Sequence, residues 1–366
     1  MTRLSIHQLF SLMFIFEVGS TTLFALGIEA KQDAWIVILA SLLVGLAFIW
    51  IYTELQSKFP DKNLAEILIA ILGKPCGTLL AINYSIYWLY PACRNLREFG
   101  ELIVITSLQD TPLTIVLLIF MLASIYVLAL GIQVLARTGE ITMPVIASFF
   151  MGMFLMIILS GRVDWQSLQP VLSHGIKPVL SAVYPTVSIF PFGEIFIFSM
   201  YWCYADRQHR VRKATMAAAA ASGILLAATL IIDVTVLGVP YTASATIPLF
   251  EVIKLINIGD ILTNLDALGI IIIFLGGFYK MSLLFYGIVS IYNTLFKTKN
   301  SKILLISTGF LVLWVAVVFE PSYIFHRTQL FPFDTDYFYP AFLHVIPVLL
   351  LLIHWIKKKS APFQIK

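Results

Sequence analysis

Apolar runs, each long enough to cross a lipid bilayer, dominate this sequence. Hydrophobic residues make up 60% of the chain and charged residues only 12%, with a mean hydropathy of +0.92. A helix needs about 17–25 mainly apolar residues to cross the hydrocarbon core. The sequence therefore predicts an all-α integral membrane protein with ten transmembrane helices, in which residues 1–366 form a single transmembrane domain. The predicted spans are residues 8–28, 34–55, 75–107, 112–132, 140–161, 181–204, 214–238, 262–296, 303–320 and 338–356.

The loops between these spans predict the orientation. An even number of spans puts both termini on one side, and the loops on that side carry most of the lysines and arginines that lie outside the spans. Positively charged loops stay in the cytoplasm, so both termini are predicted to be cytoplasmic. The first run is longer than a signal-peptide core and no small-residue cleavage site follows it, so we expect it to remain as a helix.

Two short helices are predicted outside the spans. An Asn63 cap followed by an amphipathic pattern predicts an interfacial helix over 63–73 on the cytoplasmic side. A second helix is predicted over 247–258 on the extracytoplasmic side, begun by Pro248 and stopped at Gly259. It either acts as a lid or rests on the membrane surface.

The sixth span contains the clearest interruption. Pro191 lacks the N–H that a continuous helix needs, Gly193 tolerates unusual backbone angles, and Glu194 adds an ionisable carboxylate within the bilayer. Broken backbone is tolerated in hydrocarbon only where it is buried in protein or lines a cavity, and in secondary transporters it marks the substrate site. The alternative is a simple proline kink whose polar groups are satisfied by neighbouring helices.

The first span has an interruption at the same depth. Gly19 and the three hydroxyl residues that follow it lie about eleven residues into their run, as the break in the sixth span does in its own. Two halves, about 8–161 and 181–356, therefore each begin with a broken helix. Because each half has an odd number of spans, the second half is inverted relative to the first.

With these interruptions the sequence resembles a known family. The motifs that carry the resemblance are Val18–Leu23, Phe190–Glu194, and Ile247–Pro248 followed by Asn257–Asp260. They are similar to those of the spore-germination permeases, the B subunits of nutrient germinant receptors, in the amino acid–polyamine–organocation transporter superfamily. The chain departs from the superfamily pattern in span one, where Ser20 and Thr21 replace a second glycine.

The resemblance implies a fold, a ligand and partners. The fold is the LeuT-like 5+5 inverted repeat with helices 1 and 6 broken. The ligand is a small nutrient such as an amino acid. The partners are a membrane A subunit and a lipoprotein C subunit, in the spore inner membrane.

The two breaks predict how such a ligand is bound. Half-helix ends that meet near the middle of the bilayer offer N–H groups to an anion and carbonyls to a cation, which matches a zwitterionic amino acid. We assign the ligand carboxylate to the N–H groups in span one and the ligand ammonium to the carbonyls of Ser188, Ile189 and Phe190. Alternatively, the Thr21 and Thr22 hydroxyls bond carbonyls one turn earlier in their own helix. The predicted ligand-binding residues of these two spans are Gly19, Ser20, Thr21, Ser188, Ile189, Phe190, Phe192 and Gly193.

The third span carries charges in its outer half. Arg94 lies one turn before Glu98, a spacing that suits an intrahelical ion pair, and Arg97 and Glu101 repeat it. One hypothesis is that both pairs line a solvated outer vestibule and contribute little energy. The other is that Tyr90 and Arg94, one turn apart, face the ligand.

Lys280 lies near the centre of the eighth span, about 20 Å from either end. No lysine side chain covers that distance, so the ammonium must face protein or water. In one hypothesis it replaces a coupling sodium and holds the first and eighth helices together. In the other it forms a static pair with one of the other intramembrane charges, Glu194 or Glu17.

No pattern in the sequence indicates an enzyme, a metal site or a cofactor. The histidines are scattered, and the three cysteines lie apart without ligand or disulfide spacing. Basic residues in short loops give no nucleic-acid patch. The first functional hypothesis is a nutrient-sensing receptor subunit, and the alternative is a proton- or ion-coupled amino-acid permease. A third is a structural membrane subunit that binds nothing. Sensing and transport begin with the same site, so the sequence leaves them open.

Overall fold

A computed structural model of the chain describes residues 3–256, 265–298, 300–318 and 338–360. Over these residues it is helical, and the only β-type pairing described is an isolated parallel bridge between Leu4 and Ala205. The α-helices are α1 (Ile6–Gly19), α2 (Ala34–Lys58), α3 (Leu64–Leu72), α4 (Lys74–Thr106), α5 (Leu113–Ala129), α6 (Ile132–Leu159), α7 (Lys177–Ala182), α8 (Val211–Ser244), α9 (Pro248–Lys254), α10 (Leu265–Phe296), α11 (Ser301–Val318) and α12 (Ile346–Ser360).

Six helical stretches in the described residues are long and apolar enough to cross a membrane on those two criteria alone. They are Ile28–Lys58, Ile132–Leu159, Gln208–Ser244, Ala267–Phe296, Ser301–Val318 and Ala341–Lys358. The remaining predicted spans miss these criteria for physical reasons. The first and sixth are broken, α4 contains charged pairs, and α5 has 17 residues.

Several boundaries differ from the predicted ones. α6 begins at Ile132 and not near residue 140, because its polar first turns hide a helix that starts directly after Gly131, whose φ is 107°. α8 continues to Ser244 across a kink at Gly238, where φ is 75°. The eighth predicted span is one long helix, α10, over its described residues.

The two short predicted segments are both helical. In α3, the Asn63 side chain accepts from the Glu66 N–H at 3.1 Å and the Glu66 carboxylate accepts from the Asn63 N–H at 3.0 Å, which satisfies two otherwise orphaned donors. The outer helix, α9, ends at Lys254, and the predicted stop at Gly259 lies outside the described residues. The placement of both helices relative to the bilayer stays a prediction, and so do the exact limits of the domain and its two repeats.

The packing joins the first half of the chain to the second. α1 packs against α8 and α10 as well as α6, α2 packs against α8, and α10 runs along α4. Helices from opposite halves therefore form one core. The ends of α1 and of the sixth span lie inside it.

Candidate ligand-binding site

Helix α1 ends at the predicted interruption. Gly19 is its last residue, Thr21–Leu23 form a single 3-10 turn, and Phe24 is extended with φ −118° and ψ 141°. A second stretch of 3-10 helix, Ile28–Asp33, begins after Gly27, whose φ of 75° suits glycine. The first span is thus broken, and its outer part is 3-10 rather than α-helix.

A glycine pair brings this break against α10. A Cβ built on Gly19 would lie 2.7 Å from the Gly276 carbonyl oxygen, and one on Gly276 would lie 2.7 Å from the Gly19 Cα. Neither contact leaves room for a side chain, because both neighbours are backbone. Gly19 therefore serves close helix packing.

The sixth span loses its α-helical form around Pro191. α7 is followed by a π-helical turn over Val183–Val187, residues 190–193 form a turn, and Glu194–Met200 are 3-10 helical. The Gly193 N–H donates to the Ile189 carbonyl at 2.8 Å. A Cβ on Gly193 would lie 2.9 Å from that same oxygen, so the compact turn needs glycine.

The break runs directly into a buried charge cluster centred on Glu194. One carboxylate oxygen lies 2.5 Å from the Lys280 ammonium on α10, and the other lies 3.8 Å from the Arg94 guanidinium on α4. Arg94 and Lys280 are fully buried and Glu194 is 4% exposed. Of the hypotheses for Lys280, the structure shows the pair with Glu194. This carboxylate joins the sixth span to both neighbouring helices.

Arg94 has further partners within the core. Its Nε lies 3.6 Å from a Glu98 carboxylate oxygen, and its NH1 donates to the Tyr339 hydroxyl at 3.5 Å. Full burial of Arg94 is incompatible with a solvated vestibule in this conformation. The other intrahelical pair, Arg97 with Glu101, has a separation of 2.5 Å and stays partly exposed.

Aromatic rings cover the two cations. The Phe190 ring centroid lies 4.5 Å from the Lys280 ammonium and 5.3 Å from the Arg94 guanidinium carbon. The Phe16 ring lies 4.9 Å from the same ammonium, and Phe24 packs edge-on against Phe190 with centroids 5.6 Å apart. A cation over a ring face gains electrostatic energy, and more when both groups are desolvated.

The predicted hydroxyl groups divide into two kinds. Thr21 donates to the Glu17 carbonyl at 2.6 Å, and Ser188 donates to the Pro185 carbonyl at 2.9 Å. Thr22 donates to the Gly19 carbonyl at 3.3 Å, so both threonines bond within their own segment, as the alternative hypothesis expects. The Ser20 hydroxyl is fully buried and has no hydrogen-bond partner in the described structure.

Direct contacts join Arg94, Phe190, Glu194 and Lys280. Gly19 contacts Gly276, on the helix that carries Lys280. Phe192 lies elsewhere, against α2 and α8. A Cβ built on Gly45 of α2 would lie 2.5 Å from the Cβ of Phe192. Tyr90 is half-buried, and Glu17 is fully buried in the last turn of α1, directly before the break. The ligand roles of all these residues stay predictions.

Sequence reasoning missed three residues of this site: Phe16, Phe24 and Tyr339. The two phenylalanines flank the interruption in span one, so their position was a usable signal. Tyr339 comes 245 residues after Arg94, and no local pattern indicates that contact.

Two broken helices inside one helical core are the defining features of the LeuT-like fold. Solved structures share this fold. MhsT in complex with L-phenylalanine matches with a TM-score of 0.70 and 14% identity, over 93% of this chain and 87% of that one. A Na⁺-coupled sialic acid symporter in a substrate-bound outward-open state has a TM-score of 0.63 and 14% identity, over 96% and 78%.

Comparison of the sequence identifies the family within this fold. The family model described as spore germination protein (Spore_permease) matches residues 3–324. Spore germination protein KB of Bacillus subtilis (strain 168) is 34% identical over 98% of this chain and 96% of its own length. The chain therefore belongs to the spore germination permease family, as its motifs indicated, and is an integral membrane protein. Family and fold point to membrane transport or reception and not to catalysis.

Proposed function

We propose that this chain is the B subunit of a nutrient germinant receptor, and that it binds an amino acid to trigger spore germination. One observation carries the proposal: the break of the sixth span leads straight into Glu194, which is tied to α4 by Arg94 and to α10 by Lys280. A ligand held at the break displaces Glu194, and both helices follow because their buried charges need that partner. Binding is thereby converted into a change of helix packing.

The ligand chemistry follows from the two breaks. The carboxylate of the nutrient binds the N–H groups around Gly19, Ser20 and Thr21, and its ammonium binds carbonyls of the sixth span. The Ile189 carbonyl already accepts the Gly193 N–H, but a carbonyl oxygen has a second lone pair for the ligand. MhsT holds L-phenylalanine in the same fold, which supports an amino acid as ligand.

We further propose that the chain acts in the spore inner membrane with an A and a C subunit. Membership of the spore germination family supports this assignment. Both termini face the cytoplasm, because the lysines and arginines outside the spans concentrate in the loops on that side.

The second candidate function is an ion-coupled amino-acid permease. The shared fold with a Na⁺-coupled symporter favours it, since that protein is a transporter. Reconstitution separates the two functions. The purified full-length chain is placed in proteoliposomes, and binding and uptake of radiolabelled L-amino acids, tested one by one, are measured on the same preparation.

Binding without uptake is the result expected for a sensor, and binding with uptake is the result for a permease. If no amino acid is bound and none is taken up, the proposal is overturned. Phe190→Ala should remove binding because its ring covers both site cations. Phe310→Ala is the matched control, because Phe310 lies on α11 and is 48% exposed.

A further inference from the structure

Glu17 is the acidic side chain beside the α1 break, and its carboxylate has no partner among the described residues. The residue is fully buried. Neither of its oxygens has a hydrogen-bond or ion-pair partner in the described part of the chain. Burying an unpaired carboxylate in a dry core is so unfavourable that such a group normally stays neutral.

The donors nearest to Glu17 are already committed. The Lys280 ammonium is bound to Glu194 at 2.5 Å, and the Tyr52 hydroxyl donates to the Leu343 carbonyl at 2.6 Å. The Thr21 hydroxyl donates to the backbone carbonyl of Glu17 and leaves the side chain alone. In the described structure each of these groups has its partner elsewhere, and none forms a hydrogen bond or an ion pair with the Glu17 carboxylate.

The charge of the neighbouring cluster is already balanced without Glu17. Arg94 and Lys280 supply two positive charges, and Glu98 and Glu194 supply two negative ones. An ionised Glu17 would leave the cluster with a net negative charge in a region closed to water. A neutral Glu17 leaves the balance intact.

The other elements packed on α1 offer no countercharge. Within the described side chains, neither α6 nor α8 supplies an ion pair to Glu17, and Lys280 is the only charged group contributed by α10. The charged and titratable residues of these three helices whose side chains the structure describes are Arg137, Glu140, Arg212, Lys213, Asp233, Tyr241, Tyr279, Lys280, Tyr286 and Tyr292.

We infer that Glu17 is a proton-binding site, which holds one proton in the closed conformation and releases it when the break in the first span opens to water or to a ligand cation. The unpartnered hydroxyl of Ser20, one turn further along, is placed at the same break. The proton is then a second ligand of the protein, and the nutrient response is linked to pH. The inference concerns the empty protein, so it stands or fails independently of which nutrient is bound.

Infrared spectroscopy tests the site directly. The purified full-length chain, labelled with ¹³C-carboxyl glutamate, is reconstituted in lipid at neutral pH, and the label separates glutamate bands from that of the buried Asp233. Wild type should show the carbonyl band of a protonated glutamic acid. Glu17→Gln should lose that band, whereas Glu140→Gln, at an exposed position of α6, should keep it.

A labelled wild-type protein without a protonated glutamate band overturns the inference, and this result needs no variant. A band that persists in Glu17→Gln overturns it as well, because the proton then belongs to another glutamate. If Glu17→Gln fails to fold, Glu17→Asp is used, and an unshifted glutamate band in that variant has the same meaning.

Discussion

At the scale of single residues, the cluster around Glu194 depends on every member. Lys280 and Arg94 lie within the core, where a charge survives only with a partner. Removing one member of a buried pair leaves an uncompensated charge, which costs about 3–5 kcal/mol, whereas replacing both members is often tolerated. Single substitutions should therefore be worse than paired ones.

Lys280→Met is expected to destabilise the protein by about 3–5 kcal/mol and to lower its abundance in the membrane. The double variant Lys280→Met/Glu194→Gln should recover at least about 1 kcal/mol, since residues in contact are not additive. Thermal unfolding of the purified chain in lipid measures both. Lys254→Met, which removes a partly exposed pair with Glu251, is the control and should be nearly neutral. Wild-type stability and nutrient response in Lys280→Met would show that this lysine is peripheral.

At the scale of elements, the two broken helices owe their form to different constraints. In the sixth span Pro191 removes an N–H and Gly193 fits a turn too tight for a Cβ. In the first span Gly19 lies in backbone contact with Gly276. The break of the sixth span therefore depends on residues of that span, whereas the position of the first break depends on contact with α10.

Pro191→Ala tests the break of the sixth span. Alanine restores a donor and favours helix, so the variant should fold and insert at wild-type level yet fail to respond to the nutrient. Gly193 is kept, because a Cβ there would meet the Ile189 oxygen at 2.9 Å. Pro144→Ala removes a proline from inside α6 and should leave the response intact. A normal response in Pro191→Ala would reduce the break to a kink.

Gly276→Ala tests the contact between α1 and α10. The added methyl group meets the Gly19 backbone at 2.7 Å, so the helices must separate, and overpacking of this kind costs about 1–3 kcal/mol. Gly152→Ala in α6 faces open space and should be neutral or stabilising by up to about 1 kcal/mol. Thermal unfolding of the two variants side by side gives the comparison, and equal stability would mean that the glycine pair is loose.

These elements show what sequence can and cannot predict here. The break at Pro191 was predictable, because proline acts on its own backbone. The break after Gly19 was predictable from the glycine and the hydroxyl residues that follow it, but the contact of Gly19 with Gly276 was not. The choice between Glu194 and Glu17 as the partner of Lys280 was not, since it depends on how three helices pack. The contact of Arg94 with Tyr339 was not predictable either, because the two residues lie far apart in the sequence. The early start of α6 was missed because its first turns contain polar residues.

At the scale of the whole molecule, the orientation of the chain in the membrane is a prediction that can be tested. α4 connects the two faces of the membrane, with Cys76 exposed near its start and Ser107 exposed after its end. The predicted orientation puts Cys76 in the cytoplasm. The other two cysteines, Cys93 and Cys203, are buried and partly buried.

An impermeant thiol reagent should therefore spare the wild-type chain in intact cells and label it in inverted membrane vesicles. Ser107→Cys, at the opposite end of the same helix, should be labelled in intact cells. Cys76→Ser identifies the labelled position in each case. Labelling of Cys76 from outside would reverse the assignment of both termini.

Burial of both breaks has a kinetic consequence. Ser20, Ile189, Phe190 and Lys280 are all closed to solvent, so a nutrient molecule meets no open site on arrival. The nutrient can bind only after the core has opened, so the rate of opening sets the upper limit of the association rate. The observed rate of nutrient binding should rise with nutrient concentration and level off at the rate with which the empty protein opens. This opening rate, and not diffusion, then determines how soon a signal begins.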